Sequence, residues 1–296
     1  MSAPAAAVEV TDVVLRDGFQ DEPVIVPTDG KLRLARLLAE AGVPRLEVAS
    51  FVNPRRVPQM ADAVEVVAGT AGLAAETTVL ALNGRGVRRA VESGARRIQI
   101  VASASDAHSS ANAGRGRLEA LADLAAELEA LRAEGARFEV FAGISTAFVC
   151  PFEGAIAAER VAEIGAAFRD MRVTHLGLAD TLGTAAPEEV LATVDAVRAA
   201  LPELELSLHL HNAQGQALET VVAAAERGIR RFDGAVAGFG GCPFAPGAHG
   251  NIATEALVSA LHAAGFATGL DEARLAEAAE LARRLVAESP AIPAAA

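Results

Sequence analysis

The chain has 296 residues, 52% of them hydrophobic and 22% charged, and carries a net charge of −12. That is ample apolar material for a large packed core, no apolar run is long enough to span a membrane, and the charge has the wrong sign for tracking nucleic acid. Two cysteines, Cys150 and Cys242, are too few for a disulfide framework and, with no signal-peptide pattern in MSAPAAAVEV, predict reduced thiols in the cytoplasm.

Runs rich in β-branched and aliphatic residues predict strands at about 8–16, 45–50, 77–82, 97–102, 138–145, 173–179, 205–211 and 231–237. Segments with helical apolar spacing alternate with them, at 31–41, 61–68, 86–93, 117–134, 157–170, 187–200, 216–227 and 253–264. Several helices close on a glycine followed by a short apolar run, as in AEAGVPRLEV, VESGARRIQI, RAEGARFEV and AERGIRRFDG. A helix-terminal glycine leading into a strand is the connection of a repeated βα unit. Eight strands and eight helices predict an α/β fold, a (β/α)₈ TIM barrel over about 8–265, with a short additional C-terminal helix at about 270–287. The whole chain, 1–296, then reads as one catalytic domain. A doubly wound open sheet explains eight even units less well, and no GxGxxG follows the first strand.

In such a barrel the chemistry sits at the C-terminal ends of the strands, and polar residues collect there. The first strand ends in Arg16-Asp17. The second, RLEVASF, carries Glu47, and the sixth ends in Asp180-Thr181. The seventh, LSLHLHN, sets His209 and His211 two apart, so both rings point to one side. The eighth leads into GFGGCPFAPGAHGN, with Cys242 and Asn251. Closure puts the eighth strand between the seventh and the first, so Asp17, His209, His211 and Asn251 can converge. Two imidazoles, a carboxylate and an amide oxygen suit a divalent cation, and with no thiolate among them Mg²⁺ or Mn²⁺ is favoured over structural zinc. Each signal has a plainer reading. The histidines can be packed, Asp17 can be a turn residue before Gly18, Glu47 a simple ion-pair partner of Arg16, and Cys242 a small buried hydrophobe. His108, His175 and His262 read as structural, and Cys150 as packing after the fifth strand. An acidic chain needs a metal or arginine to draw an anionic substrate, and Lys31 is its only lysine.

Taken in order, LRDGFQDE, EVASFVNPRRVPQMADAVEV, LADTLGTAAPEEV, HLHNAQGQA and GFGGCPFAPGAHGNIATEAL resemble the 3-hydroxy-3-methylglutaryl-CoA lyase family. That family lies within a larger group of metal-dependent TIM-barrel lyases and Claisen synthases. The resemblance implies a carbon–carbon lyase acting on 3-hydroxy-3-methylglutaryl-CoA, or a close 3-hydroxy-3-carboxymethyl acyl-CoA. The products would be acetyl-CoA and a 3-oxo acid such as acetoacetate, as in leucine degradation. It implies Asp17, His209, His211 and Asn251 as metal ligands, Arg16 as stabiliser of the enolate, and Glu47 as support for that arginine. Cys242 would assist proton transfer, Asp17 and His209 would serve as acid/base groups, and Gln20, Asp180 and Thr181 would line the substrate pocket. A homodimer is implied as well.

The chain departs from that pattern around the pocket: Asn212 replaces an aspartate, Ala179 a glycine, Pro23 a lysine, His249 a smaller residue and His108 a phenylalanine. These changes bear on the acyl group rather than on the metal. A Claisen synthase and an acyl-CoA-binding relative with weakened turnover are the competing readings, the former opposed by Phe19 where synthases have LRDGEQ. Arginines of the strand-end loops, or Arg283 and Arg284, are expected to hold the CoA nucleotide.

Overall fold

The computed structural model of the chain describes residues 5–241 and 250–292. Along the chain run β1 (Glu9–Asp12), α1 (Thr28–Glu40), β2 (Arg45–Ser50), α2 (Ala63–Thr70), β3 (Glu76–Ala81), α3 (Gly84–Glu92) and β4 (Arg97–Ser103). There follow α4 (Asp106–Ala113), α5 (Arg117–Ala133), β5 (Glu139–Ser145), β6 (Val149–Cys150), β7 (Gly154–Ala155), α6 (Ala158–Asp170) and β8 (His175–Asp180). The last elements are α7 (Pro187–Ala200), β9 (Glu205–Leu210), α8 (Ala217–Glu226), β10 (Arg231–Gly234), α9 (Thr254–Ala263) and α10 (Glu272–Glu288). Eight parallel strands close into a barrel in the order β1-β10-β9-β8-β5-β4-β3-β2, while β6 and β7 form a small antiparallel pair outside it. The α/β barrel read from the sequence is therefore the observed architecture.

Alternation within the strands separates two chemistries. Residues pointing out, such as Leu46, Ile98, Ile100, Leu176, Leu178 and Leu208, are fully buried against the helix shell, where Leu34, Leu124, Ile164 and Leu257 meet them. This apolar annulus is the core that holds the barrel together. Residues pointing in are largely polar. At the N-terminal mouth Glu9 pairs with Arg45 at 3.0 Å, Arg45 with Glu76 at 3.0 Å, Glu76 with Arg97 at 2.7 Å and Arg97 with Glu139 at 3.0 Å. Arg231 continues this belt to Glu205 at 3.3 Å and Glu9 at 3.5 Å. Above it Thr11, Glu47, Thr78, Gln99, Ser207 and Asp233 surround a small internal cavity. An interior so poor in branched aliphatics leaves space beneath the C-terminal mouth.

The first strand is shorter than its composition predicts. It stops at Asp12, and Val14–Gly18 form a single π-helical turn. Asp12 causes the break: its buried carboxylate accepts from Val14 N at 2.9 Å, Val236 N at 3.0 Å and Thr254 Oγ1 at 2.6 Å. Gly18 closes the turn, because a Cβ there would lie 2.9 Å from Val14 Cγ2 and 3.2 Å from Phe239 Cβ. Arg16 and Asp17 thus project from a π-turn rather than from a strand end, a placement common at functional sites. Among the described residues no helix is long and apolar enough to cross a membrane.

Candidate active site

A pocket opens at the C-terminal mouth of the barrel, lined among others by Arg16, Asp17, Gln20, Thr181, His209 and His211. His209 and His211 come from the end of β9 and the residue beyond it, their rings on the same side, with the two Nε2 atoms 3.2 Å apart. Asp17 Oδ2 lies 3.6 Å from His211 Nε2 and 3.9 Å from His209 Nε2. Asn251, bridged to His211 through the backbone, donates from Nδ2 to Asp17 Oδ2 at 2.7 Å and to Phe239 O at 3.0 Å. Its Oδ1 is buried and has no hydrogen-bond partner among the described residues.

This donor set fits a divalent cation. Ligand atoms of Asp17, His209 and His211 all lie within 4.8 Å of one another. An orphaned amide oxygen on the adjoining Asn251 is the kind of atom a cation would satisfy. The electrostatics agree. Burial alone would raise the Asp17 carboxyl, but the Arg16 guanidinium and the two histidines outweigh it and hold it well below the usual range, an ionised ligand. Burial likewise opposes a charged His209, yet its bond to Asp233 and the nearby Asp17 raise its affinity for a proton.

Arg16 is gripped from two sides. It pairs with Asp17, and its Nε donates to Glu47 Oε2 at 2.6 Å. Glu47 is buried and faces the internal cavity beneath the pocket, so it holds the guanidinium from behind. In β2 the pairing register shifts between Glu47 and Ala49, and this bulge turns Ser50 into the pocket above Glu47.

Other expected residues are placed differently. Gln20 and Thr181 line the pocket, and Thr181 Oγ1 also accepts from Thr146 N at 2.8 Å. Asp180 does not line it: both its oxygens turn onto the following loop, accepting from Gly183 N at 3.1 Å and Ala185 N at 3.0 Å. It fixes the bend that carries Thr181. Cys242 and His249 lie outside the described residues. Arg283 and Arg284 sit on the outer face of α10, paired with Glu280, and are absent from the pocket wall. His108, expected to be structural, lines the pocket with its Nδ1 2.7 Å from Ser103 Oγ, and burial lowers its proton affinity. Cys150 is buried beside Ser105, Sγ to Oγ 2.9 Å.

Asp233 was not anticipated. It faces inward from β10, and its Oδ2 accepts from His209 Nδ1 at 3.2 Å. That bond fixes the imidazole with Nε2 toward His211 and Asp17. The signal was present in the alternation of RRFDG, which puts Arg231 and Asp233 on the barrel's inner side.

A closed (β/α)₈ barrel with a carboxylate–imidazole cradle beside a clamped arginine defines the class: a TIM barrel whose C-terminal mouth carries a group of side chains able to hold a divalent cation. The HMGL-like family model matches residues 7–282. The chain is 39% identical over 285 residues to the (R)-citramalyl-CoA lyase of Chloroflexus aurantiacus, covering 93% of this chain and 89% of that protein. It is 39% identical over 269 residues to the mitochondrial hydroxymethylglutaryl-CoA lyase of Gallus gallus, covering 90% of each. The structure of an HMG-CoA lyase from Acinetobacter baumannii, in complex with coenzyme A and 3-methylmalate, matches with a TM-score of 0.90 at 36% identity, covering 99% of this chain and 95% of that one. The chain belongs to the HMGL-like family.

Proposed function

We propose that the chain is a divalent-metal-dependent lyase that cleaves 3-hydroxy-3-methylglutaryl-CoA, or a close 3-hydroxy-3-carboxymethyl acyl-CoA, to acetyl-CoA and a 3-oxo acid. Its family makes it an enzyme of the lyase class. The acyl-CoA class rests on both curated relatives and on the coenzyme A bound by the related structure. The observation that carries the reading is Arg16, pinned between Glu47 and Asp17 directly beside the metal cradle.

Cleaving a carbon–carbon bond next to a tertiary hydroxyl needs a base for the hydroxyl proton and a positive group for the charge that develops on the thioester oxygen. Asp17, His209, His211 and Asn251 would hold a divalent cation, Mg²⁺ or Mn²⁺, which would supply Lewis-acid polarisation of the substrate. Asp17 would take the proton, since both ring nitrogens of His209 are engaged, by Asp233 and by the cation. The Arg16 guanidinium, held in place before substrate arrives, stabilises the enolate oxygen. Cys242 then delivers a proton to the enolate carbon, giving the methyl group of acetyl-CoA. Gln20 and Thr181 bind the acyl group, with Asp180 positioning the latter. A homodimer and a cytoplasmic location belong to the same proposal.

The test is acetyl-CoA release by protein stripped of metal and then given Mg²⁺ or Mn²⁺, with 3-hydroxy-3-methylglutaryl-CoA and citramalyl-CoA as substrates. The citramalyl compound is included because that lyase is as similar to the chain as the hydroxymethylglutaryl enzyme. Metal-dependent release is expected, and Arg16→Gln should lower kcat by about a hundredfold or more. Undiminished turnover in Arg16→Gln would refute the mechanism. Silence of the wild type on both substrates would refute the function.

A further inference from the structure

Two glycines lie side by side in the barrel wall. Gly143 of β5 and Gly177 of β8 are register partners, and both line the pocket. Strand interiors are poor places for glycine, which packs nothing and costs backbone entropy, so it marks a close approach by another group. That group is the side chain of Gln99, which faces inward from β4. A Cβ on Gly143 would lie 3.1 Å from Gln99 Nε2, and a Cβ on Gly177 would lie 3.9 Å from the same atom and 3.2 Å from Ser207 Oγ. The amide therefore lies over the two glycines. It forms a floor that borders the active-site pocket above and the small internal cavity below. Leu80 and Val101, which also line the pocket, are apolar, and of the two residues that border both cavities, Gln99 and Asp233, only Gln99 offers a donor to an anionic group.

Depth decides which part of an acyl-CoA meets this floor. The nucleotide and its pantetheine arm must leave through the mouth, so only the acyl end can reach an inward-facing residue in the middle of a strand. In the ring of strands β4 and β5 stand across from β10 and β1, the side that bears Asp233 and leads to Arg16 and Asp17. Gln99 lines the same pocket as the cradle from the opposite arc of strands, so an acyl group seated on the cradle and extending across the barrel would bring its far end toward Gln99.

We propose that Gln99 is a substrate-binding residue whose amide N–H donates to an oxygen of the acyl carboxylate, and that Gly143 and Gly177 are the room made for it. The inference rests on the acyl-CoA lyase reading above. Two variants separate the donor from its seat. Gln99→Leu keeps most of the volume and removes the donor. Gly143→Ala keeps the donor and presses on it. Gln99→Leu should lower kcat/KM by about tenfold or more for whichever acyl-CoA the wild type cleaves, chiefly by raising KM. The Kd for coenzyme A alone should stay unchanged, and Gly143→Ala should show a smaller loss in the same direction. A second readout needs no turnover: free 3-hydroxy-3-methylglutarate titrated into metal-loaded protein should bind about tenfold more weakly to Gln99→Leu than to wild type. Retention of both kcat/KM and acid affinity to within about twofold would overturn the assignment. If the wild type cleaves neither acyl-CoA, the lyase reading fails, and the acid titration alone decides: equal affinity in the two proteins removes Gln99 as a carboxylate donor, and weaker binding to Gln99→Leu keeps it.

Discussion

A metal-binding histidine works only if its proton sits on the nitrogen that faces away from the ion. In the proposed cation site that choice is made for His209 by Asp233, 24 residues downstream, whose Oδ2 accepts a hydrogen bond from Nδ1–H at 3.2 Å. The carboxylate orients the ring and makes Nε2 a better donor. Asp233→Ala should therefore weaken Mn²⁺ binding by about tenfold to a hundredfold, measured by titration calorimetry on protein freed of metal. Unchanged affinity would reduce Asp233 to a space-filling role. The same residue shows where the sequence is readable and where it is not. His209 and His211 are visible because they share a strand, and the period of two puts them together. Asp233 and Gln99 act on partners contributed by other strands, so their meaning depends on the closed ring rather than on local spacing. Inward alternation flags them as candidates without saying what they touch.

At the scale of elements, the rim of the site is held by the chain's only lysine. Lys31, buried on α1, donates to Gln59 O at 2.7 Å and Asp62 Oδ1 at 2.6 Å, and Thr28 Oγ1 donates to Asp62 Oδ2 at 2.8 Å. Gln59 Nε2 in turn donates to Glu22 O at 2.8 Å, so one cation ties the loops that follow β1 and β2. Lys31→Met removes the donor and leaves Asp62 and the Gln59 carbonyl without it. The cost should be about 2–3 kcal/mol in urea denaturation, less than for a fully buried pair because the Asp62 side chain keeps 22% exposure. A Lys31→Met loss below about 0.5 kcal/mol would show that the network is dispensable. The regular elements around it were legible because each carries a sustained period. The exceptions have physical reasons. Helix α4 has the sequence DAHSSANA, too short and too polar to show an apolar stripe. The π-turn hides inside VVL, whose composition continues the strand, and only the contacts of Asp12 with distant Val236 and Thr254 reveal the break.

For the molecule as a whole, the two ends of the barrel divide the labour: chemistry at the C-terminal mouth, an ion-pair belt at the other. The belt contains one group that couples it to pH. His175 Nδ1 accepts from Arg231 Nη1 at 3.2 Å, and its Nε2–H donates to Ser207 Oγ at 2.9 Å, a pattern only a neutral ring can satisfy. Burial, followed by the charges of Arg231 and Arg45, outweighs Asp233 and Glu205 and pushes its pKa down to about 4. Glu205, 3.7 Å from Nδ1, is therefore a partner of Arg231 rather than of an imidazolium. An unfolded chain has an ordinary histidine near 6.5, so between about pH 6.5 and 4 the unfolded state binds the extra proton. The stability linked to His175 is complete above that window and is lost as pH falls through it, by up to about 3 kcal/mol. Acid-labile carboxylates elsewhere act on wild type and variant alike, so the comparison that isolates this residue is wild type against His175→Gln. Denaturant unfolding at pH 8, 6 and 5 should show the wild type falling more steeply than the variant below about pH 6. Parallel pH profiles would mean that the ring is protonated in place and that the belt, not the histidine, sets the acid limit of the fold.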